Sequence, residues 1–183
     1  ETVQTLKKAG VNWLALGIES GNKVVRSDVV KGKFTEVNIR DLVKKIQDAG
    51  INIIGNYIFG LPEDNLETME ETLQLALDLN CEFANFYCAM AYPGSKLFLE
   101  ALKEGWGLPE SYVGFAQHAY ETKPLPTKYI SAKEVLKFRD EAFDKYYNNK
   151  EYLESIREKF GNETYNGIKN MISYKLKRKL LRD

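Results

Sequence analysis

A carboxylate and a hydroxyl follow the first apolar run of this 183-residue chain in a setting that suits a ligand site. Glu19 and Ser20 stand between Gly17 and Gly21. Their oxygens can accept hydrogen bonds from the amine or sugar hydroxyls of a ligand, and the flanking glycines let the backbone approach that ligand closely. The alternative is that both side chains only cap the following turn, and the local sequence favours neither interpretation.

A second polar residue, Asn56, interrupts the apolar run from Ile51 to Phe59. A polar side chain in a buried strand needs hydrogen-bond partners, and in a barrel it would point into the lumen. We favour a ligand contact over an asparagine that only binds neighbouring backbone. The turn Gly60-Leu61-Pro62 follows, and a sharp stop to the strand explains it fully by itself.

A repeat of forty residues predicts that these two segments lie side by side. Residues 7–12 and 47–52 each combine the end of a polar helix, a glycine and the start of an apolar strand. Such repetition is typical of a parallel α/β sheet or barrel. In these folds the loops after the strands carry the chemistry. A third strand is predicted over 81–91.

Helices are predicted from caps and from apolar periodicity. Thr35 and Asp64 are the predicted N-caps of the helices after the first and second strands, with Glu67 as capping-box partner of Asp64.

Residues 106–130 lack a clear period and are predicted to be irregular. We divide the chain into an α/β part, 1–105, and an irregular and helical part, 106–183. Within these parts, further helices are predicted over 95–105, 131–149, 150–160 and 163–181.

Composition gives no sign of a nucleic-acid or membrane partner. The 26 basic side chains balance 26 acidic ones, so no global field attracts polyanions, and no apolar run reaches membrane-span length. Cys81 and Cys88 are predicted to be packed strand residues, too far apart to bridge each other. So few cysteines, with no secretory signal, favour a reduced cytoplasmic protein. His118 is predicted to be structural, and the basic end 174–182 a solvated terminal helix.

Four ordered blocks carry a resemblance to a known family. In this order and spacing they resemble the radical S-adenosylmethionine (SAM) superfamily, in the branch with methylthiotransferases, oxygen-independent coproporphyrinogen oxidases and cobalamin-binding enzymes. The resemblance covers about residues 2–100. The blocks are Leu16–Gly21 followed by Lys31-Gly32 and Thr35, Ala49–Ile51 leading into Ile58–Pro62, Asn65–Thr68, and Ala91–Ser95.

The resemblance implies which residues bind the methionine and ribose parts of SAM. Glu19 would contact the ribose or the methionine part, and Ser20 beside it is counted among the cofactor-binding residues. Asn56 would bind the ribose hydroxyls. Lys31 matches a basic position near the SAM carboxylate; the alternative is a solvated lysine before a turn glycine.

The resemblance also implies an adenine side of the cleft. Ile58 would lie beside the adenine, together with Gly60, Leu61 and Pro62. Tyr92, in the segment after the third strand, would complete that side. These are hydrogen-bonding and packing roles, so no residue of this chain is assigned a catalytic role.

The implied fold is a partial (β/α) TIM-like barrel, comprising strands four to six of a six-stranded barrel, followed by a helical C-terminal region. Three strands do not close a barrel, and their outer edges would be long and hydrophobic. We therefore expect the chain to be a C-terminal fragment. Its partners would be the N-terminal half of the same protein and a small-molecule substrate.

The family's Cys-x3-Cys-x2-Cys motif is absent from this sequence. In the family, its three thiolates hold a [4Fe–4S] cluster and leave one iron for SAM, whose cleavage gives a 5′-deoxyadenosyl radical. From the resemblance we expect the parent protein to be a radical SAM enzyme. Because the cluster-binding motif is missing, we expect this chain to be inactive alone. The helical tail does not resemble the RNA-binding appendage of methylthiotransferases, which favours the cobalamin-associated branch and cobalamin in the parent.

Two alternatives from other classes remain. One is a non-radical, sugar-phosphate-binding half-barrel that completes itself by dimerisation. The other is a non-catalytic SAM-binding module. A stable dimer with bound sugar phosphate would favour the first, and tight SAM binding without a cluster would favour the second. The sequence does not predict the substrate, the reaction subtype or the oligomeric state.

Overall fold

A computed structural model describes residues 1–29 and 38–182 of the chain. Strands and helices alternate over the first hundred residues, as the helix–glycine–strand repeat predicts, and helices predominate afterwards. In chain order the elements are α1 (Thr2–Lys8), β1 (Trp13–Glu19), α2 (Lys23–Val29), α3 (Ile39–Asp48), β2 (Asn52–Phe59), α4 (Leu66–Leu79), β3 (Phe83–Cys88), α5 (Lys96–Lys103), a 3-10 turn (Tyr112–Phe115), α6 (Ala132–Tyr147) and α7 (Lys150–Ser173).

The three strands form one parallel sheet in the order β1-β2-β3. Gly17 pairs with Asn56 across β1 and β2, and Asn56 pairs with Asn85 across β2 and β3. The parallel direction brings the carboxyl ends of all three strands to one edge. This arrangement agrees with the predicted α/β class and is consistent with part of a (β/α) barrel.

The two faces of the sheet have different environments. On the covered face, Tyr57 and Phe59 of β2 stack with Phe86 of β3 at ring-centroid distances of 5.4 and 5.8 Å, beneath α4 and α6. Side chains on the other face remain partly exposed. We call this side the open face and define it by Gly17, Asn56, Ile58, Asn85 and Tyr87.

Strand β1 is less covered than its apolar sequence predicts. The apolar run from Trp13 to Leu16 is typical of a strand buried on both faces, yet Trp13 is 44% exposed and Ala15 is also exposed. Both residues follow the register of the open face, where they pair with Asn52 and Ile54. Because β1 is an edge strand of this sheet, only its Leu14 side packs against the main core.

Helix α7 closes the sheet at the amino ends of the strands. Glu82 is buried there, accepts the Ile53 N–H at 2.7 Å and pairs with Lys159 of α7 at 2.5 Å. Trp13 stacks on Phe160 with 5.8 Å between ring centroids. The break predicted at Gly161 is confirmed, because its φ of 83° is non-helical.

Several predicted caps move by a few residues. Asn65 rather than Asp64 is the N-cap of α4, and Thr68 rather than Glu67 completes its capping box. Helix α3 is capped by Asn38, while the predicted cap Thr35 lies outside the described residues. The helix starts predicted at residues 95 and 131 are confirmed, with Ser95 and Ser131 as the N-caps of α5 and α6.

The C-terminal end differs most from its prediction. Helix α7 ends at Ser173, so residues 174–182 are not the solvated helix that was expected. Arg178 is instead completely buried, because Asp140 of α6 accepts two hydrogen bonds from its guanidinium. Within the described ranges, no helix is long and apolar enough to span a bilayer. The division of the chain at residue 105 stays a prediction.

The contacts of Glu82 lead to a stability prediction. Glu82→Ala removes the acceptor of a buried N–H and should lower the free energy of unfolding by about 1–3 kcal/mol, measured by urea denaturation. Glu70→Ala is the control, because its ion pair with Lys145 is exposed and should contribute less than about 1 kcal/mol. Equal losses in the two variants would contradict this role of Glu82.

Candidate functional site

Glu19 ends β1 with an unusual backbone conformation. The register between β1 and β2 shifts after Gly17, so that Glu19 pairs with Tyr57, and φ of Glu19 is 64°. Left-handed backbone is unfavourable for a residue with a Cβ and concentrates at functional sites. A bulge with left-handed backbone at a strand end is typical of places where a fold re-aims a side chain, which makes Glu19 a candidate for the site.

The Glu19 carboxylate turns back over Gly17. A Cβ placed on Gly17 would lie 2.5 Å from Glu19 Oε1, so a side chain at this position would displace the carboxylate from its place over residue 17. Since Gly17 pairs with Asn56, this geometry brings Glu19 to the open face. Half-burial raises the pKa of the Glu19 carboxyl through desolvation.

Asn56 and Asn85 form a polar row across the open face. Asn56 Nδ2 donates to Leu16 O at 3.1 Å, and Asn56 Oδ1 accepts from Asn85 Nδ2 at 3.0 Å. Asn56 thus makes the backbone hydrogen bond that is expected if it binds only its neighbours. It also lies on the face predicted to meet a ligand. Asn85 was missed from the sequence, although it interrupts the apolar third strand as Asn56 interrupts the second.

Apolar residues lie above this polar row, towards the carboxyl ends of the strands. Ile58 pairs with Tyr87 across β2 and β3 and packs with Val25, Leu61 and Ala89. Helix α2 thus supplies an apolar residue, Val25, to the ends of the neighbouring strands. These residues form a small apolar surface next to the amides of Asn56 and Asn85.

The Gly60-Leu61-Pro62 turn is fixed by Asp64. Asp64 Oδ2 accepts the N–H groups of Gly60 and Leu61, each at 3.0 Å, and Oδ1 accepts from Thr68 Oγ1 at 2.7 Å. Burial raises the pKa of the Asp64 carboxyl, and these hydrogen bonds offset part of the rise. Its carboxylate therefore shapes the turn after β2 instead of capping α4.

Ser20 faces inward, away from the open face. It is completely buried, its hydroxyl lies 3.2 Å from Thr72 Oγ1, and it accepts the Asn22 N–H at 3.2 Å. These bonds attach the turn after β1 to α4, so a direct ligand contact by Ser20 has no support from its position. Lys31 lies outside the described residues.

Tyr92 belongs to a separate aromatic group beyond the third strand. Its side chain is half-exposed, and its ring centroid lies 6.3 Å from that of Phe115. Phe115 in turn contacts Phe98 of α5 at 6.5 Å. An exposed tyrosine ring near the strand ends offers a stacking surface.

The cysteines do not form a metal site. Cys81 and Cys88 are both buried and unbridged, and burial raises the pKa of each thiol to about 12. In residues 1–29 and 38–182, no group of three or more His, Cys, Asp or Glu side chains could hold a metal ion. These residues therefore do not fit an iron–sulfur cluster, and both cysteines pack as the sequence predicted.

The raised thiol pKa values predict slow alkylation. At pH 8 only a thiolate reacts, so the folded chain should react with iodoacetamide at least about tenfold more slowly than the chain in urea. The measurement is mass spectrometry of each cysteine peptide over time. Rapid labelling of either cysteine in the folded chain would contradict the burial described above.

The turn after β2 should tolerate no side chain at Gly60. A Cβ there would lie 2.4 Å from Val135 Cγ1, and φ is 80°. Gly60→Ala therefore adds overpacking of about 1–3 kcal/mol to the left-handed strain of about 1–2 kcal/mol. Gly10→Ala is the matched control, because Gly10 has φ of 88° and open space around its Cβ. Equal destabilisation in urea unfolding would contradict the proposed clash.

Comparison with known proteins agrees with this geometry. Residues 1–76 match the model of the radical SAM superfamily. An uncharacterized methyltransferase of Pyrococcus horikoshii is 24% identical over 147 residues, which are 80% of this chain and 31% of that protein. The anaerobic magnesium-protoporphyrin IX monomethyl ester cyclase of Rubrivivax gelatinosus is 26% identical over 148 residues, 81% of this chain and 26% of the cyclase.

A third relative has a different substrate in its name. The cytidylyl-2-hydroxyethylphosphonate methyltransferase of Streptomyces wedmorensis is 24% identical over 116 residues, 60% of this chain and 22% of that enzyme. The chain thus spans between 22% and 31% of the length of these three relatives. The family model over residues 1–76, the ordered blocks and these similarities agree, and all of them make this chain similar to the radical SAM superfamily.

Proposed function

We propose that this chain forms one side of the SAM site in a longer radical SAM enzyme. The observation that carries the proposal is the shared position of Glu19 and Asn56. Both lie on the open face, at or near the carboxyl ends of adjacent parallel strands. Ligands of parallel α/β folds bind at these strand ends.

The residues of the open face suit the parts of SAM. The Glu19 carboxylate accepts hydrogen bonds from the ribose hydroxyls or the amine, and the amides of Asn56 and Asn85 supply both donors and acceptors to the ribose. Ile58 and Leu61 offer apolar contact to the adenine. The Glu19 carboxylate lies over Gly17, on the face where the ligand would bind.

The radical chemistry requires a group that this chain does not hold. A [4Fe–4S] cluster supplies the electron that cleaves SAM to methionine and a 5′-deoxyadenosyl radical. We propose that its ligands belong to the N-terminal half of the same protein, so this chain is inactive alone. Its role is to bind and orient SAM and to line part of the substrate cavity.

Two of the relatives are named methyltransferases, which supports methyl transfer as the reaction of the parent. The Ala91–Ser95 block resembles cobalamin-associated members, so we propose cobalamin as a further cofactor of the parent.

We place the enzyme in the cytoplasm, because both thiols are free and a reducing compartment keeps them so.

The test measures SAM affinity in the full-length protein that carries this chain, with its cluster reconstituted anaerobically. Glu19→Ala should raise the Kd for SAM by about tenfold or more, because each lost hydrogen bond to a charged group contributes roughly 1.5–3 kcal/mol. Glu70→Ala, on the exposed surface of α4, is the control and should leave the Kd unchanged.

Two outcomes would contradict the proposal. An unchanged Kd in both Glu19→Ala and Asn56→Ala would remove these residues from the SAM site. A stable dimer of this chain that binds a sugar phosphate, detected by sedimentation and calorimetry, would favour the self-completing half-barrel. Circular dichroism of each variant checks that it has folded.

A further inference from the structure

The segment that follows α7 is held by a buried arginine. We call residues 174–182 the C-terminal strap. Arg178 is completely buried, and its Nε and Nη2 donate to the two carboxylate oxygens of Asp140, each at 2.9 Å. This bidentate geometry is specific to arginine and strongly directional. The strap is therefore attached to α6 at a defined position.

The same guanidinium also binds the irregular segment before α6. Arg178 Nη1 donates to Gln117 O and Ala119 O, each at 3.0 Å, and to Thr122 Oγ1 at 3.1 Å. Lys179 N donates to Tyr120 O at 2.8 Å. The strap thus fixes residues 117–122, a loop that contains neither helix nor strand.

That loop contacts the carboxyl end of β3. The Gln117 side chain accepts the Cys88 N–H and donates to the Cys88 carbonyl, both at 2.9 Å. Further along the same segment, Leu125 N donates to Ala89 O at 3.3 Å and Lys128 N to Pro62 O at 3.2 Å. The segment held by the strap therefore binds the ends of both β2 and β3.

Apolar contacts reach the same strand ends. Leu180 and Leu181 of the strap pack on the cluster of Cys88, Met90, Val135 and Leu136, and Val135 is the residue against which Gly60 lies. In contrast, the main core beneath the covered face includes no residue of the strap. The strap therefore supports the ends of β2 and β3 more than the centre of the fold.

We propose that Arg178 is a positioning residue for the SAM site. Through Gln117 and the cluster around Val135, it holds the carboxyl ends of β2 and β3 in the arrangement that a ligand on the open face requires. Arg178 does not touch the open face itself. This inference rests on the proposed function, and it assigns to the strap a role in binding that its sequence does not suggest.

The first test uses the two cysteines of the chain as internal probes. Cys88 lies at the strand end beneath the strap, whereas Cys81 precedes β3 at the other end. Arg178→Ala should accelerate iodoacetamide labelling of Cys88 by about tenfold and leave that of Cys81 unchanged. Lys177→Ala, which removes a charge from an exposed position of the strap, should change neither rate.

The second test measures SAM binding in the reconstituted full-length protein. Arg178→Ala should raise the Kd for SAM by about fivefold or more, at unchanged iron content. Arg178→Lys keeps the charge but not the bidentate geometry, so it should give most of the same increase. If Arg178→Ala does not fold, Arg178→Lys replaces it in both tests.

The outcomes separate the inference from the function on which it rests. Equal acceleration of both cysteines would indicate general destabilisation and would overturn the positioning role, as would an unchanged Cys88 rate. If Glu19→Ala weakens SAM binding and neither Arg178 variant does, only this inference fails. If Glu19→Ala and Asn56→Ala leave the Kd unchanged, the proposed function fails, whatever the cysteines report.

Discussion

The fold depends on the stacking of aromatic side chains on one side of β2 and β3. Tyr57, Phe59 and Phe86 fill the space between the sheet and α4 and α6. Because side chains alternate along a strand, burying these rings directs Asn56, Ile58 and Asn85 to the opposite face. A slip of one residue would reverse both faces. The same packing thus stabilises the chain and determines which residues a ligand can meet.

Much of this arrangement could be predicted from the sequence, because it follows from periodicity. The glycine-punctuated repeat predicts the parallel sheet, which is confirmed. The isolated polar residue Asn56 indicates which face of the sheet stays partly exposed, and the ligand site on that face stays a prediction. Asn85 obeys the same rule, but its aromatic neighbours made the segment look like core alone. Local patterns therefore identify the sheet well and the full set of polar residues on it less well.

Features that depend on contacts between distant parts of the chain could not be predicted. A choice between two local arrangements is equally hidden, because Asp64 looks like a helix cap and yet its carboxylate accepts the N–H groups of the preceding turn. The bulge at Glu19 depends on the pairing of β1 with β2. Arg178 lies in a basic stretch that resembles a solvated helix. Its burial is explained by its bidentate pairing with Asp140 and by its hydrogen bonds to residues 117–122.

The burial of Arg178 also has a consequence for the order in which the molecule is completed. Chains fold from the amino end while they are synthesised, and the sheet and α6 leave the ribosome before the strap does. The strand ends that border the open face thus remain without this support until residues 174–182 have been translated. A chain truncated shortly before Arg178 would keep the residues of the main core but lack the contacts that hold the ends of β2 and β3.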